Sequence, residues 1–503
     1  MAAPDNCIFC DNTSSHYQTC RYQPGGTYAA GTIGTSGSLY SPYSSIFSGL
    51  CNCVISDGCY ASILNGNSNT NSGCYNSIIG GANNTINSNS SSGYSSNYSS
   101  IGGGNGNSVF GCGSSVLGGC NNQISCSVSG YPTSNNSLIG SGQGNITYGN
   151  YDAILTGLGN YVGYYVPYAT IINGSYNVIN TFSCYVSILN GSFNTVSGCY
   201  NSVMGGCCNN IEQSSGFSSI LNGGCNVVTG HSNNVLNGCC NAISVHTSTY
   251  GYFNSIANGC ENRIIDLTEC RSIYNFIGSG ANNSICSCYC NTEGSFIGSG
   301  DFNIINDGFQ GFIGTGRSNS ICCSVNSSIV GGQYNKIDNG SNGSFIGGGG
   351  SFHYLFSEGN CINSFSSYGV IGGGMLNQIG GTCTSSGYCS TFGFIGGGLK
   401  NLIDSGNTAA PGQYSSCFGV IGGGCCNVIC QNTCFSSILG GACNVVSHNF
   451  ASASGYNIAS VSDCAFHANN FVAQNMPAVP GVPGTLYCSA YYAPLGGYVV
   501  MIS

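Results

Sequence analysis

Tryptophan is absent and charged residues are scarce. Asp, Glu, Lys and Arg make up 4% of the chain, with 6 Lys and Arg together against 15 Asp and Glu. This argues against nucleic-acid binding, which needs clustered basic residues to neutralise phosphates. It also argues against a disordered polyelectrolyte, because disorder goes with high net charge and low hydrophobicity. Since 41% of the residues are hydrophobic, the chain has enough apolar side chains to fill a narrow core.

Long apolar runs are missing as well. No stretch reaches roughly 18 consecutive apolar residues, so the sequence predicts no membrane-spanning helix. Residues 1–6 lack the basic and apolar regions of a secretory signal, and we predict none there. Helices are disfavoured almost everywhere, because Gly, Ser, Asn and β-branched residues dominate the chain and are poor helix formers.

What the chain has instead is a short repeat. One unit places Ile220, Gly223, Asn226 and Val228 at fixed spacings, and the next unit begins 15 residues after the first, at Val235. We call the first apolar residue of each unit the anchor; glycine follows three residues later, asparagine six and a second apolar residue eight. A short period of this kind takes precedence over chain length in predicting the architecture.

The unit begins at 22 anchors along the chain. They are Ile46, Ile63, Ile78, Ile101, Val116, Ile139, Ile154, Ile171, Ile188, Val203, Ile220, Val235, Ile256, Ile277, Ile297, Ile313, Ile329, Ile346, Ile371, Ile395, Ile421 and Ile438. Every unit has the glycine, and the asparagine is replaced once, by Phe352. The second apolar position is polar at Asn71 and Thr147.

The repeat predicts an all-β protein, a parallel β-solenoid or β-roll of about 22 coils of 15–17 residues with loop insertions. Ile and Val at short alternation favour strands, and neighbouring coils would lie about 4.8 Å apart. We expect the anchor and the second apolar residue to point inward from two strands. The glycine would turn the corner between them with a positive φ, which other residues rarely adopt.

The repeated asparagine has two interpretations. Its buried amide would hydrogen-bond its equivalents in the coils above and below, as in an asparagine ladder, or it would only supply local turn geometry. The candidate ladder residues are Asn122, Asn194, Asn209, Asn226, Asn241, Asn262, Asn427 and Asn444.

These units resemble the head repeats of trimeric autotransporter adhesins of the YadA-like family, a left-handed parallel β-roll. The runs that carry the resemblance include residues 115–124, Ser-Val-Leu-Gly-Gly-Cys-Asn-Asn-Gln-Ile, and residues 437–446, Ser-Ile-Leu-Gly-Gly-Ala-Cys-Asn-Val-Val. The resemblance covers about residues 45–446 and extends to similar repeats in fibre proteins of phages and large viruses. Two features depart from the adhesins: no coiled-coil stalk or anchoring barrel is visible, and the cysteine content is far higher.

The resemblance implies a structural fibre or spike protein of a virion or cell surface. We expect a homotrimer that acts as an adhesin, with loops on the rigid solenoid attaching to a host glycan or receptor, and an extracellular or virion-surface location. The alternative is a purely structural part of an extracellular filament or shell that binds no small ligand. Nucleic acid and membrane insertion are not expected.

Loop insertions interrupt the repeat between the second apolar residue and the next anchor. They fall at about 87–99, 125–137, 244–254, 265–275, 286–295, 355–369, 380–393 and 404–419 and should leave the solenoid at one corner. They are tolerated loop variation or a receptor surface, since loops on a rigid scaffold commonly bind ligands and tyrosine packs on sugar faces. The candidate contact residues are Tyr94, Tyr98, Tyr131, Tyr250, Tyr252, Tyr368, Tyr388 and Tyr414.

Cysteines also keep register with the repeat. Equivalent positions on successive coils would have Cα atoms about 4.8 Å apart, within the range for a disulfide. The candidates for stacked thiols or for disulfides are Cys59, Cys74, Cys208, Cys225, Cys240, Cys426 and Cys443. Packing of each cysteine as a small apolar residue is the alternative.

The repeat divides the chain into three predicted parts: a cap or attachment segment at 1–44, the solenoid at 45–446, and a tip, cap or trimerisation segment at 447–503. Cys7, Cys10, His16 and Cys20 have spacings that zinc ligands also show, although chance explains such a match in a cysteine-rich chain. We predict no metal site and no cofactor. Acidic residues are scattered with no pair in a common register, so we predict no catalytic residues and no enzyme activity.

Overall fold

The fold was analysed in a computed structural model. The structure describes residues 37–39, 43–55, 59–87, 96–125, 135–245, 252–266, 272–287, 292–350, 359–380, 390–404, 416–469, 486–492 and 497–502. Within these ranges every regular element is a β-strand, and the chain forms a parallel β-solenoid of about 21 turns. The predicted all-β solenoid is therefore confirmed. It divides into two compact units, Met1–Glu358 and Gly359–Ser503, and the boundary falls inside the predicted 45–446 repeat region.

Two stacks of parallel strands form the first unit. The anchor sheet consists of Ser45–Ile46, Ser62–Ile63, Ser77–Ile78, Ser100–Ile101, Ser115–Val116, Leu138–Ile139, Ala153–Ile154, Thr170–Ile171, Ser187–Ile188, Ser202–Val203, Ser219–Ile220, Asn234–Val235, Ser255–Ile256, Phe276–Ile277, Phe296–Ile297, Phe312–Ile313, Ser328–Ile329 and Phe345–Ile346. Each strand pairs in register with the next, as Ile220 does with Val235.

The second sheet carries the other apolar residue of each unit. It consists of Gly37–Leu39, Asn52–Val54, Thr70–Asn71, Thr85–Ile86, Ser108–Val109, Gln123–Ile124, Ile146–Thr147, Tyr161–Val162, Val178–Ile179, Thr195–Val196, Asn210–Ile211, Val227–Val228, Ala242–Ser244, Arg263–Asp266, Ser284–Ser287, Ile304–Asn306, Ser320–Cys322 and Lys336–Ile337. Gly37–Leu39 already pairs with Asn52–Val54, so the stack begins within the segment predicted as a cap. Next to this sheet, Ser272–Ile273 pairs with Thr292–Glu293.

The second unit repeats the same plan. Its anchor sheet consists of Val370–Ile371, Phe394–Ile395, Val420–Ile421, Ser437–Ala442, Ser452–Tyr456 and Phe466–Ala468. Its second sheet consists of Cys361–Ile362, Gln378–Ile379, Leu402–Ile403, Val428–Ile429 and Val445–Val446. Ser390–Thr391 pairs in parallel with Ser416–Cys417, and Leu486–Tyr492 pairs antiparallel with Gly497–Ile502. The anchor sheet thus continues past residue 446, where the sequence repeat ends.

The core of each unit is a narrow column of Ile and Val between the two sheets. The side chains of all 22 anchors are buried, as are the apolar residues eight positions later that the structure describes. Burying a side chain of this size stabilises a fold by about 1.5–3 kcal/mol relative to exposure, and no single turn could do this alone. The inward orientation predicted from the repeat is confirmed.

Each turn bends at the repeated glycine. All 22 of these glycines, from Gly49 to Gly441, have a positive φ. Gly223 has φ 105°, and a Cβ added there would lie 2.0 Å from the carbonyl oxygen of Gly238 in the next turn. Both the backbone conformation and the close approach of the neighbouring turn therefore require glycine, as the sequence predicted.

Candidate binding surface on stacked aromatic columns

The repeated asparagine forms a hydrogen-bonded ladder inside the solenoid. The backbone N–H of Asn226 donates to Oδ1 of Asn209 at 3.1 Å, and Oδ1 of Asn226 accepts from the N–H of Asn241 at 3.0 Å. Its Nδ2 donates to the carbonyl oxygen of Gly238 at 3.0 Å and also contacts that of Asn222 at 3.4 Å. One amide thus forms hydrogen bonds to both neighbouring turns and also contacts its own corner, so its role is not limited to local turn geometry.

The same arrangement recurs in both units. The candidate ladder residues are fully buried, and the N–H of each donates to the asparagine Oδ1 one turn earlier; they are Asn122, Asn194, Asn209, Asn226, Asn241, Asn262, Asn427 and Asn444. A buried polar group is tolerated when its hydrogen bonds are made. The ladder makes them without adding charge to the core.

A second inward polar column lies two residues before the anchors and was missed in the sequence. There Oγ of Ser137 accepts from the N–H of Asp152 at 3.3 Å, and Oδ1 of Asp152 accepts from the N–H of Ala169 at 2.9 Å. Further along, Oδ1 of Asn254 accepts from the N–H of Asn275 at 3.0 Å. The position varies among Ser, Asn, Asp, Ala, Gly and Val, so no single residue type marks it in the sequence.

Asp152 is the one carboxyl group in this buried column among the described turns. Burial raises the pKa of Asp152 to about 7, and hydrogen bonds from the Ala169 N–H and the Thr147 hydroxyl partly oppose that rise. The Thr147 hydroxyl donates to Oδ2 of Asp152 at 2.9 Å. This contact explains why Thr147 replaces the usual apolar residue of its unit.

We predict that this carboxyl makes the fold less stable as the pH rises. The pKa of Asp152 is about 7 when folded, above its ordinary value of 3.8, so the folded state holds the proton more tightly than the unfolded state. Its contribution is complete below about pH 4 and is lost as the pH rises to about 7. Between pH 5 and pH 8 we expect a loss of roughly 2–3 kcal/mol, measured by urea unfolding.

The matched variant is Asp152→Asn, because asparagine occupies the same position in other turns. The amide carries no charge at any pH, so this variant should equal or exceed the wild type at pH 8 and lose most of the pH dependence. An unchanged slope of stability against pH in the variant would show that another group is responsible.

Two of the registered cysteine pairs are disulfides. Cys59 and Cys74 are bonded with a Cα–Cα distance of 4.5 Å, and Cys184 and Cys199 with one of 4.6 Å. Both bonds join adjacent turns at the position four residues before the anchor. The remaining candidates are thiols: Cys208, Cys225, Cys240, Cys426 and Cys443.

Among the described cysteines, the closest pair of thiols lies at a position that was not predicted from the repeat. Sγ of Cys239 and Sγ of Cys260, four residues after their anchors, are 2.8 Å apart on adjacent turns. Within the described part of the chain, no cluster of three or more His, Cys, Asp or Glu side chains is arranged to hold a metal ion. The zinc interpretation of Cys7, Cys10, His16 and Cys20 concerns residues outside the described ranges.

Columns of stacked aromatic rings cover one corner of the solenoid, three residues before the anchors. In the first unit the rings stack with centroids 4.7–5.3 Å apart and planes within 10° of parallel. The columns are Tyr43, Tyr60, Tyr75 and Tyr98; then Tyr151, Tyr168, Tyr185, Tyr200 and Phe217; then Phe253 and Tyr274. The second unit has one column: Tyr368, Phe392, Phe418, Phe435 and Phe450.

Every ring in these columns is carried by a backbone in the left-handed region. Tyr185 has φ 53° and Tyr200 has φ 61°. That conformation costs a residue with a Cβ about 1–2 kcal/mol, whereas an aromatic pair contributes about 0.5–1.5 kcal/mol beyond its burial. A ring stacked on both sides therefore offsets most or all of the strain at its own corner.

The predicted contact tyrosines are distributed in three ways. Tyr98 and Tyr368 belong to the columns, and Tyr252 lies beside Phe253 with ring centroids 6.3 Å apart. The others lie outside the described residues: Tyr94, Tyr131, Tyr250, Tyr388 and Tyr414. The aromatic surface that the structure describes is thus built mainly from turn corners rather than from insertions.

Stacking decides which part of each ring a ligand can reach. A ring inside a column has both faces covered and presents its edge, whereas a ring at a column end has one face open. Tyr75 is 50% exposed within its column, and Tyr98 is 66% exposed at the end of it. Within these columns, a sugar can therefore pack against a ring face only where a column ends.

A stripe of exposed aliphatic and aromatic side chains follows the outer face of the anchor sheet, one residue after the anchors. We call it the outer stripe; in the first unit it consists of Phe47, Leu64, Ile79, Leu117, Leu155, Ile172, Met204, Leu221, Leu236 and Val330. Single exposed apolar residues are common on proteins, but a row of them along one face, here interrupted by glycines such as Gly102 and Gly140, marks an interaction surface.

Together these features define a parallel β-solenoid with few charged residues, an outer stripe and aromatic corner columns. No protein-family model matches the sequence, and no curated protein matches it. The kinship with YadA-like head repeats accordingly remains a prediction from the repeat. In the described residues no helix has the length and apolarity needed to cross a bilayer.

Proposed function

We propose that this protein is a structural fibre or spike on the surface of a virion or cell, in which three copies pack side by side and attach to a host or other surface. The observation that carries the proposal is the outer stripe. In the first unit it places one exposed apolar side chain on ten of the 18 turns, nine of them from Phe47 to Leu236, with polar Ser or Thr two residues earlier in most of them.

The repeat distance of the outer stripe indicates what covers it. Its side chains recur with the spacing of the turns, about 4.8 Å. Only a partner with the same spacing can bury such a row along its whole length, and a second copy of this solenoid has that spacing. A cyclic trimer buries the stripe of every copy and leaves no interface unpaired, so the assembly has a fixed size, as a spike requires.

The interior explains why the structure suits a rod. The 18 anchor strands of the first unit, from Ser45–Ile46 to Phe345–Ile346, correspond to a length of roughly 80 Å at about 4.8 Å for each step. Ladder hydrogen bonds join each turn to the next, and two disulfides add covalent links. In this proposal, the open ring faces at the column ends and the insertions attach to the host or other surface.

The second candidate function is a purely structural filament or shell component. The favouring observation is that every ring inside a column is covered on both faces by its neighbours, as Tyr185 is by Tyr168 and Tyr200, so the columns would serve mainly to stabilise the corners. The two functions differ in assembly. A spike gives one closed oligomer, whereas a filament gives species whose mass grows with protein concentration.

We predict that charge placed in the outer stripe dissociates the assembly. The double variant Leu221→Glu and Leu236→Glu puts two carboxylates on adjacent turns, and burying them against another copy would cost several kcal/mol. Sedimentation velocity should show trimeric wild type and a monomeric variant with an unchanged β-sheet circular dichroism spectrum.

Gln213→Glu is the matched control, because it adds a carboxylate at an exposed residue away from the stripe. It should remain trimeric. A wild type that sediments as a monomer at all concentrations, or a double variant that stays trimeric, would rule out the stripe as the interface; open-ended growth would favour the filament.

A further inference from the structure

The long aromatic column of the first unit is interrupted at a single turn. Phe217 ends one stack and Phe253 begins the next, and the turn between them carries Ser232 at the same corner position. Strand pairing fixes this order, because Asn234 pairs with Ser219 on one side and with Ser255 on the other. One ring is therefore missing from a regular stack.

The gap is as wide as one ring. Phe217 stacks on the ring before it at 4.7 Å, and Phe253 on the ring after it at 5.3 Å. Two such steps separate Phe217 from Phe253, or roughly 10 Å between ring centroids at the spacing of parallel strands. Ser232 has φ 55°, close to that of the aromatic corner residues, so its backbone continues the column without filling it.

The exposure of Phe217 agrees with an open ring face. Phe217 is 64% exposed, against 44% for Phe418, which is covered on both faces. Phe253, at 54%, is about as exposed as the doubly covered Phe435, so of the two bounding rings only Phe217 shows an open face by its exposure. The other break in the first unit, between Tyr98 and Tyr151, is different. It spans two turns, and a side-chain amide lies there over the corner glycine Gly113.

Polar groups lie at one side of the Ser232 gap. The His231 ring lies over Gly216 and is 5.7 Å from the Tyr252 ring, which in turn is 6.3 Å from the Phe253 ring. The gap thus combines two apolar ring faces with a serine hydroxyl, an imidazole and a phenol.

We propose that this gap is a binding slot for a single pyranose ring, held between Phe217 and Phe253 with its hydroxyls toward Ser232, His231 and Tyr252. A pyranose has the two properties that the slot complements. Its axial C–H groups form apolar faces that pack on aromatic rings, and its rim of hydroxyls needs donors and acceptors. Sites of this kind combine apolar walls with a few placed polar groups.

The inference names a ligand class for the attachment role and rests on the proposed function for its biological use only. Sugar binding by the slot is a property of the chain itself. If the protein is a monomer and binds a pyranoside, the trimeric spike is overturned and the binding slot stands. If it is a trimer and binds no pyranoside, the slot is overturned and the spike stands.

The experiment fills the slot. Ser232→Tyr supplies the missing ring at a corner where tyrosine is used in other turns, and Ser232→Ala leaves the slot open. Saturation-transfer NMR would be recorded for the full chain with the methyl pyranosides of glucose, galactose, mannose and N-acetylglucosamine. We expect at least one to bind the wild type, with affinity reduced at least tenfold in Ser232→Tyr and less than threefold in Ser232→Ala.

Phe217→Ala removes one wall and should lower the affinity at least tenfold as well, whereas Phe182→Ala removes the end ring of a separate stacked pair and should not. The proposal is overturned if Ser232→Tyr binds as the wild type does or if no pyranoside binds. It is equally overturned if phenol, added as a flat aromatic probe, occupies the slot and the sugars do not.

Discussion

Gly223→Ala is expected to destabilise the solenoid by about 4 kcal/mol or more, the range reserved for changes that the backbone cannot absorb. Gly223 has φ 105°, and its new Cβ would lie 2.0 Å from the carbonyl oxygen and 2.9 Å from the amide nitrogen of Gly238. These are backbone atoms that hold the next turn. Relief requires separating two turns, which breaks the hydrogen bonds between them.

Urea unfolding followed by circular dichroism and tyrosine fluorescence measures this effect, and hydrogen exchange localises it to the turns around Gly223. Gly224→Ala is the matched control. An added Cβ at Gly224 has its nearest contact at 3.7 Å, on the carbonyl oxygen of Cys207, and the residue lies outside the left-handed region. We expect a change within about 0.5 kcal/mol for the control. Equal losses in the two variants would contradict the role assigned to the corner.

Asn226→Ala is expected to cost about 3 kcal/mol, because it leaves one buried N–H of the next turn without a partner and removes a donor from a carbonyl of that turn. The N–H of Asn241 loses the Asn226 Oδ1, and the carbonyl of Gly238 loses one of its two donors. Water cannot replace these bonds without entering a core that is fully buried there.

The matched control is Asn222→Ala, because the side chain of Asn222 is exposed while its carbonyl contacts the same amide. Its loss should stay within about 0.5 kcal/mol. The difference between the two variants, from denaturant midpoints at equal slope, isolates the buried amide. A ladder variant as stable as the control would mean that turn geometry alone holds the corner.

The sequence predicted the fold best at positions where only one residue type satisfies the structure. Glycine at the corner meets a backbone carbonyl about 2 Å from its missing Cβ, so it cannot vary from Gly49 to Gly441. Ile and Val fill a core only two side chains wide, so they vary little. The fold could therefore be predicted from the period alone.

The functional surface was harder to predict because several residue types satisfy each of its positions. The corner three residues before the anchor holds Tyr, Phe, Ser, Gly, Asn or Gln. Aromatic residues are not expected at positive φ, and only the stacked rings of neighbouring turns show why they are tolerated. The sequence predicted contact residues among the insertion tyrosines, such as Tyr131. Nothing in the residues around Ser232 indicates that the aromatic column is interrupted there.

The second inward column was missed for the same reason. Oγ of Ser137 and Oδ1 of Asn254 each accept a hydrogen bond from the backbone N–H at the same position of the next turn. Ala169 has no side-chain acceptor, so this hydrogen bond to its next turn is not made. A search for one repeated residue type cannot find a position defined by what the backbone of the adjacent turn needs. The cysteines that recur at one repeat position could be recognised in the sequence. Cys239 and Cys260 could not, because Gly224 and Ala281 occupy the same position in the turns on either side of them.

The in-register pairing of each turn with its immediate neighbours has a genetic consequence. Residues 220–234 form one complete unit, and the next unit begins at the equivalent point of the anchor sheet, so an in-frame duplication of that stretch would enter the solenoid as a whole additional turn. Slippage during replication of the repeated gene segment would then change the reach of the protein in discrete increments, leaving the outer stripe in phase and the interior unaltered. The length of this molecule is thereby free to evolve by copying, while its cross-section is not.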